Sequence, residues 1–102
     1  MNVTLHCEYL RERRNAHSYL AQMLDFPDYY GRNLDALFDC LTELHDCTIL
    51  LEGAEELLAA GGYGARILQT LEDAARANPG LRVIGGAEGT AEYLTVPIEK
   101  GM

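Results

Sequence analysis

Polar and apolar residues alternate over residues 2–7, where Val3, Leu5 and Cys7 share one side, and this period of two predicts a strand. From Arg11 to Leu24 the period lengthens. Tyr19, Leu20, Met23 and Leu24 form an apolar stripe at three- and four-residue spacing, as an amphipathic helix requires. Pro27 and Gly31 punctuate a loop. Asn33 suits the N-cap of a second helix, expected to run to about Leu44 or His45, with Asp35 in the first turn where the helix dipole favours negative charge. Cys47 to Leu51 is a nearly continuous apolar run, the signature of a strand covered on both faces. Glu55 to Ala60 reads as a short helix stopping at Gly61-Gly62. Gly64 to Ala77 reads as a longer one with Ile67, Leu68, Leu71, Ala74 and Ala75 inward, closed by Asn78-Pro79-Gly80. Leu81 to Ile84 is the last clear strand.

Strands separated by helices imply an α/β protein, a small parallel sheet with helices packed on it. With 102 residues and 48% hydrophobic content, the chain is expected to form one folded domain. Tyr93-Leu94-Thr95-Val96 reads as an added strand or as part of a loosely held tail, and the pattern leaves both open. No apolar run approaches the roughly 18–20 residues that cross a bilayer. The N-terminus lacks the basic start and apolar stretch of a secretory signal. A cytoplasmic location is the resulting expectation.

Charge is more informative than composition. Sixteen acids oppose eight Lys and Arg, a net charge of −8. Nine of the acids lie between Asp25 and Glu56 with Arg32 the one base among them, whereas the rest of the chain carries seven of each sign. A negative field focused on one third of the sequence repels nucleic acid and anionic lipid and steers basic partners toward it. The three cysteines, Cys7, Cys40 and Cys47, are an odd number without CxxC spacing, and all three are expected to be small buried hydrophobes in a reducing compartment.

The focus of that field is a helix. Leu34, Leu37, Phe38 and Leu41 fall on one side of it and serve the core, while Asp35, Asp39 and Glu43 recur at i, i+4 and i+8 on another. Carboxylates at this spacing repel by about 0.2–0.5 kcal/mol per pair, and only Asp35 is near enough to the helix N-terminus to recover part of that. A locally unfavourable ridge of this kind marks a functional position more often than a stabilising one. A carboxylate on a rigid helix offers two anionic oxygens, as a phosphate does, and accepts paired hydrogen bonds from arginine. Tyr29 and Tyr30, just ahead of the helix, suit either an interface centre or the core.

Other chemistries fit less well. Asp35 and Asp39 on one convex face have nothing around them in the sequence that would split a general acid from a general base, so no enzyme is expected. His6, Cys7, His17, His45 and Cys47 lack the tight spacing of metal ligands, and neither metal nor cofactor is expected. The Gly61-Gly62 and Gly85-Gly86 pairs lack the Lys and Ser/Thr of a phosphate loop and read as turns.

The sixteen residues Pro27-Asp28-Tyr29-Tyr30-Gly31-Arg32-Asn33-Leu34-Asp35-Ala36-Leu37-Phe38-Asp39-Cys40-Leu41-Thr42 closely resemble the signature of the barstar family of ribonuclease inhibitors. Weaker similarity continues through Ile49 to Glu52, Gly64-Ala65 and Leu68-Gln69 to Val83-Ile84. It covers roughly residues 1–84 as an inhibitor domain and leaves residues 85–102 as a C-terminal extension. The resemblance implies a three-stranded parallel sheet packed by three to four helices, acting as an intracellular 1:1 inhibitor of a basic, extracellular-type ribonuclease such as barnase. Family members plug the enzyme's active site with the second helix and the loop before it. By position, Asp39 would occupy the phosphate site, flanked by Asp35, with Tyr29 and Asn33 beside it. Phe38 and Glu43 belong to the same expected partner-binding set. The later helix supplies one more acid in the family, which alignment places at Asp73, with Glu72 as the alternative. The chain departs from the pattern at Arg32, where the best-known member has an acid. Phe38 replaces a larger aromatic, and Glu43-Leu44 a glycine–aromatic pair. The competing expectation is an acidic module that neutralises a different basic partner or toxin.

Overall fold

A computed structural model describes residues 1–85. The expected feature at Tyr93 to Val96 lies outside them, as do all but the first residue of the extension. Alternating Val3 and Leu5 build β1 (Asn2–His6), with both side chains inward. A single 3-10 turn, Cys7–Leu10, buries its two ends, and the chain enters α1 (Arg13–Leu24). That helix starts two residues later than the apolar pattern suggested, because Glu12 is extended and forms its N-cap. Its inward stripe is Ala16, His17, Leu20 and Leu24, whereas Met23, expected inside, is 36% exposed. Asp25 ends the helix in the left-handed region (φ 57°).

Then follow α2 (Leu34–Thr42), β2 (Cys47–Glu52), α3 (Ala54–Ala60), α4 (Gly62–Ala77) and β3 (Leu81–Gly85). The sheet is parallel throughout with order β1-β2-β3. Val3 pairs with Ile49 and Ile49 with Val83, so three inward residues line up across it. The expected α/β architecture, three parallel strands packed by three to four helices, is therefore present among the described residues, with four α-helices. One expectation fails: β2 is not buried on both faces. Cys47, Ile49 and Leu51 are buried, but Thr48 and Leu50 are only half-buried, and the neighbouring strands alternate in the same way. The reason lies in the order. Two crossovers of the same hand that advance in one direction across a sheet place their helices on the same side.

Between the layers, Leu5, Leu20, Leu37, Leu41, Ile49, Leu51, Ile67, Leu68 and Leu71 are fully buried. Packing of α2 chiefly against α4 sets the position of the acidic helix. The C-terminal end of α2 is tied down by Asn78. Its Nδ2 donates to the carbonyls of Leu41 (3.0 Å) and Leu44 (2.8 Å), while its Oδ1 accepts from the Gly80 amide (2.9 Å). Gly64 lets α4 approach its neighbours. A methyl group there would run into the Leu57 side chain of α3 and sit 3.0 Å from the Leu10 carbonyl. Gly64→Ala is expected to lower stability by about 1–3 kcal/mol, the usual effect of overpacking, read as a lower urea midpoint at unchanged slope.

Candidate functional site

The loop and helix that carry the acidic ridge are built from short-range instructions. Asn33 is extended and its Oδ1 accepts the Ala36 amide at 2.7 Å, so it caps α2 as the sequence suggested. Its Nδ2 donates to the Gly31 carbonyl at 3.3 Å, closing the loop on the cap. Asp35 follows in the first turn and Asp39 one turn on, both exposed on one face. Glu43 is exposed too, but the helix ends at Thr42 rather than at Leu44 or His45, and Glu43 is its C-cap with a still-helical backbone. The shortening follows from the Asn78 clamp on the Leu41 carbonyl in the last turn and the Leu44 carbonyl beyond it, and from the left-handed turn at Asp46 (φ 54°). Phe38 lies half-buried against the core from the same helix.

The two tyrosines ahead of the helix separate cleanly. Tyr29 is 85% exposed, whereas Tyr30 is 7% exposed and packs its ring 4.8 Å from Phe26. Burial holds the Tyr30 phenol well above the ordinary tyrosine range, so it stays neutral. Its hydroxyl meets His17 Nδ1 at 2.6 Å, and the other ring nitrogen, Nε2, meets the Tyr63 hydroxyl at 2.7 Å. This triad links α1, the loop before α2 and the start of α4. His17 is 1% exposed, and its pKa is lowered by burial and by the nearby Arg13 and Arg32. No local pattern marks His17 for this part, because its partners lie 13 and 46 residues away.

Asp73 is carried by α4, the helix against which α2 packs. Gln69 Nε2 donates to Asp73 Oδ1 at 3.0 Å, and Arg76 approaches the same oxygen at 3.4 Å. The Asp73 side chain is 46% exposed against 17% for Glu72, so Asp73 is the more accessible of the two alternatives. The fold thus gathers Tyr29, Asn33, Asp35, Asp39 and Glu43 along one loop and helix, with Asp73 on the adjoining helix.

All three cysteines are free. Burial pushes the Cys7 thiol up to about 11 and raises Cys40 and Cys47 as well, so none is poised as a nucleophile. Cys40 is half-exposed rather than buried, since it lies toward the edge of the α2 face that meets the core. Among the described residues no three His, Cys, Asp or Glu side chains cluster as a metal site, and no helix is long and apolar enough to cross a membrane.

A three-stranded parallel sheet packed by four helices makes this an α/β protein of barstar-like fold. Residues 1–89 match the family model described as Barstar (barnase inhibitor). A Bacillus subtilis (strain 168) protein named "Putative ribonuclease inhibitor YrdF" is 46% identical over 61 residues, covering 57% of this chain and 67% of the relative. The chain belongs to the barstar family.

Proposed function

We propose that the protein is an inhibitor, not an enzyme, and that its target is a basic ribonuclease of the barnase type. In this reading residues 1–84 bind the enzyme 1:1 in the cytoplasm and lay α2 and the Tyr29 loop across its phosphate-binding cleft. Asp39 takes the place of a substrate phosphate, Asp35 and Glu43 extend the contact along the helix, and Asp73 adds an acid from α4. Tyr29 supplies aromatic area, and Asn33 holds the loop that presents it. Phe38 supports the ridge from beneath. The observation that carries the reading is the exposure of Asp35 and Asp39 on one face of a capped helix, in a chain that belongs to the barstar family. Carboxylates fixed in this way can accept paired, charge-assisted hydrogen bonds from the arginines of a phosphate site.

A pull-down with the protein as bait, followed by an RNA-cleavage assay on the basic protein recovered, tests the proposal. The expected result is 1:1 suppression of cleavage. Recovery of a basic protein without ribonuclease activity would instead favour neutralisation of another partner. Because nine acids are concentrated between Asp25 and Glu56, association should also be steered. The on-rate measured by stopped flow should fall as salt rises while the off-rate changes less, behaviour for which barnase and barstar are themselves a standard example. A flat on-rate would remove steering from the account.

A further inference from the structure

Four of the chain's eight basic residues, Arg11, Arg13, Arg14 and Arg32, come from two short segments that the fold brings together. Three of them line a cleft of about 720 Å³ between the first turn of α1 and the loop before α2, with Glu12, Asn15 and His17 completing its walls. The placement is locally unfavourable. Arg13 and Arg14 occupy the first turn of α1, where the helix dipole is positive, no acid accompanies them, and Glu12 makes no capping bond through its side chain. Among the described residues no carboxylate lies within ion-pair distance of Arg13, Arg14 or Arg32.

Two of the guanidinium groups are nevertheless held in place. Arg32 Nη1 donates to Ser18 Oγ on α1 at 2.7 Å, from a left-handed backbone (φ 57°) rare for this residue type. Arg13 lies over the Tyr63 ring at 5.8 Å from its centroid. Both depress the pKa of His17, so both charges reach the same wall of the cleft. Among the described residues, three guanidinium groups turned toward one opening without a carboxylate partner are a standing cost unless an anion completes them.

We propose that this cleft receives a carboxylate side chain from the rim of the bound ribonuclease, making the interface two-signed and the arginines determinants of which ribonuclease is accepted. The inference rests on the inhibitor reading given above. Arg32 lies three residues after Tyr29 and immediately before Asn33, so a partner seated on that loop and α2 must also pass over the cleft. A uniformly basic partner would be repelled there, and an acid at its rim removes the repulsion. A polyanion is the poorer occupant, because the net charge of −8 repels it and Glu12 stands at the edge.

Charge reversal separates a site from a bystander by the sign of its effect. If the cleft were only solvated surface, Arg14→Glu or Arg32→Glu would make the inhibitor more negative and strengthen its hold on a basic enzyme. If it receives a carboxylate, each variant should weaken inhibition of the recovered ribonuclease by about tenfold or more, mainly through faster dissociation. Arg14 is exposed and an acid in that first turn suits the helix dipole, so this variant should fold, which thermal melting confirms independently. Inhibition by the variants that is unchanged or tighter, beside an active wild-type protein, overturns the role of the cleft alone. Failure of the wild-type protein to inhibit overturns the inhibitor reading and the cleft proposal together. Titration with inorganic phosphate covers the remaining case: binding lost in both variants while inhibition is untouched would assign the cleft to a free anion and reject the partner carboxylate.

Discussion

Asp39→Ala is expected to weaken inhibition of the target ribonuclease by at least about 2 kcal/mol, the usual hot-spot threshold, to which the barnase–barstar pair itself contributes. Three features combine at this position. Asp39 lies mid-helix, where the dipole gives it little support, it is exposed, and it is flanked one turn away on either side by Asp35 and Glu43. Removing its carboxylate relieves like-charge repulsion within the free inhibitor, so stability should hold or rise slightly while binding falls. That opposition distinguishes a binding residue from a structural one. Titration of RNA cleavage with the variant, alongside its urea denaturation, reads both. An inhibition constant equal to that of the unmodified protein would sink the assignment of α2 to the enzyme's cleft.

His17→Ala should produce the largest loss of stability among the polar positions, roughly 2–4 kcal/mol. The substitution opens a cavity and strips both the buried Tyr30 hydroxyl and the Tyr63 hydroxyl of a partner. The same side chain makes stability depend on pH, with a definite sign. A neutral imidazole has one N–H donor and one acceptor, so either tautomer satisfies both tyrosines. Protonation turns both nitrogens into donors, forces both phenols to accept, and adds a charge facing Arg13 and Arg32. Since the folded pKa is lowered from the ordinary 6.5, the unfolded chain takes up the proton first. The contribution is therefore fully present above about 6.5 and is lost as pH falls below it toward the lowered folded value. Urea midpoints measured between pH 7.5 and 5.5 should decline toward acid in the unmodified protein and much less in the variant. A slope that His17→Ala leaves unchanged would show that another group titrates.

Much of the fold was legible because its cues are local. Period-two alternation at Val3 and Leu5, the Asn33 cap and the Asn78-Pro79-Gly80 stop each act within a few residues, and each fell close to where the sequence suggested. What was not legible depends on distant parts of the chain. The early end of α2 at Thr42 depends on Asn78, which reaches back to Leu41 and Leu44. The one-sided burial of β2 depends on the order of all three strands, and an apolar run alone cannot report that. Tyr29 and Tyr30 are chemically identical neighbours, and the positions of His17 and Phe26 decide which of them turns inward. Arg32 was visible as a departure from its family's pattern. Its convergence with Arg13 and Arg14 was not, because Arg32 lies in a loop and those residues on α1, 18 or more positions earlier.

The loop before α2 is moored at three separate points within four residues: Tyr30 on His17, Arg32 on Ser18, and Asn33 on Ala36 and Gly31. A segment secured so often has already surrendered its conformational freedom when the protein folds, well before any enzyme arrives. Docking then forfeits little further entropy, against the roughly 0.5–1.5 kcal/mol that each loose side chain would forfeit on being immobilised. Under the inhibition proposed above, the gain would fall on residence time, because a rigid segment leaves only as a whole.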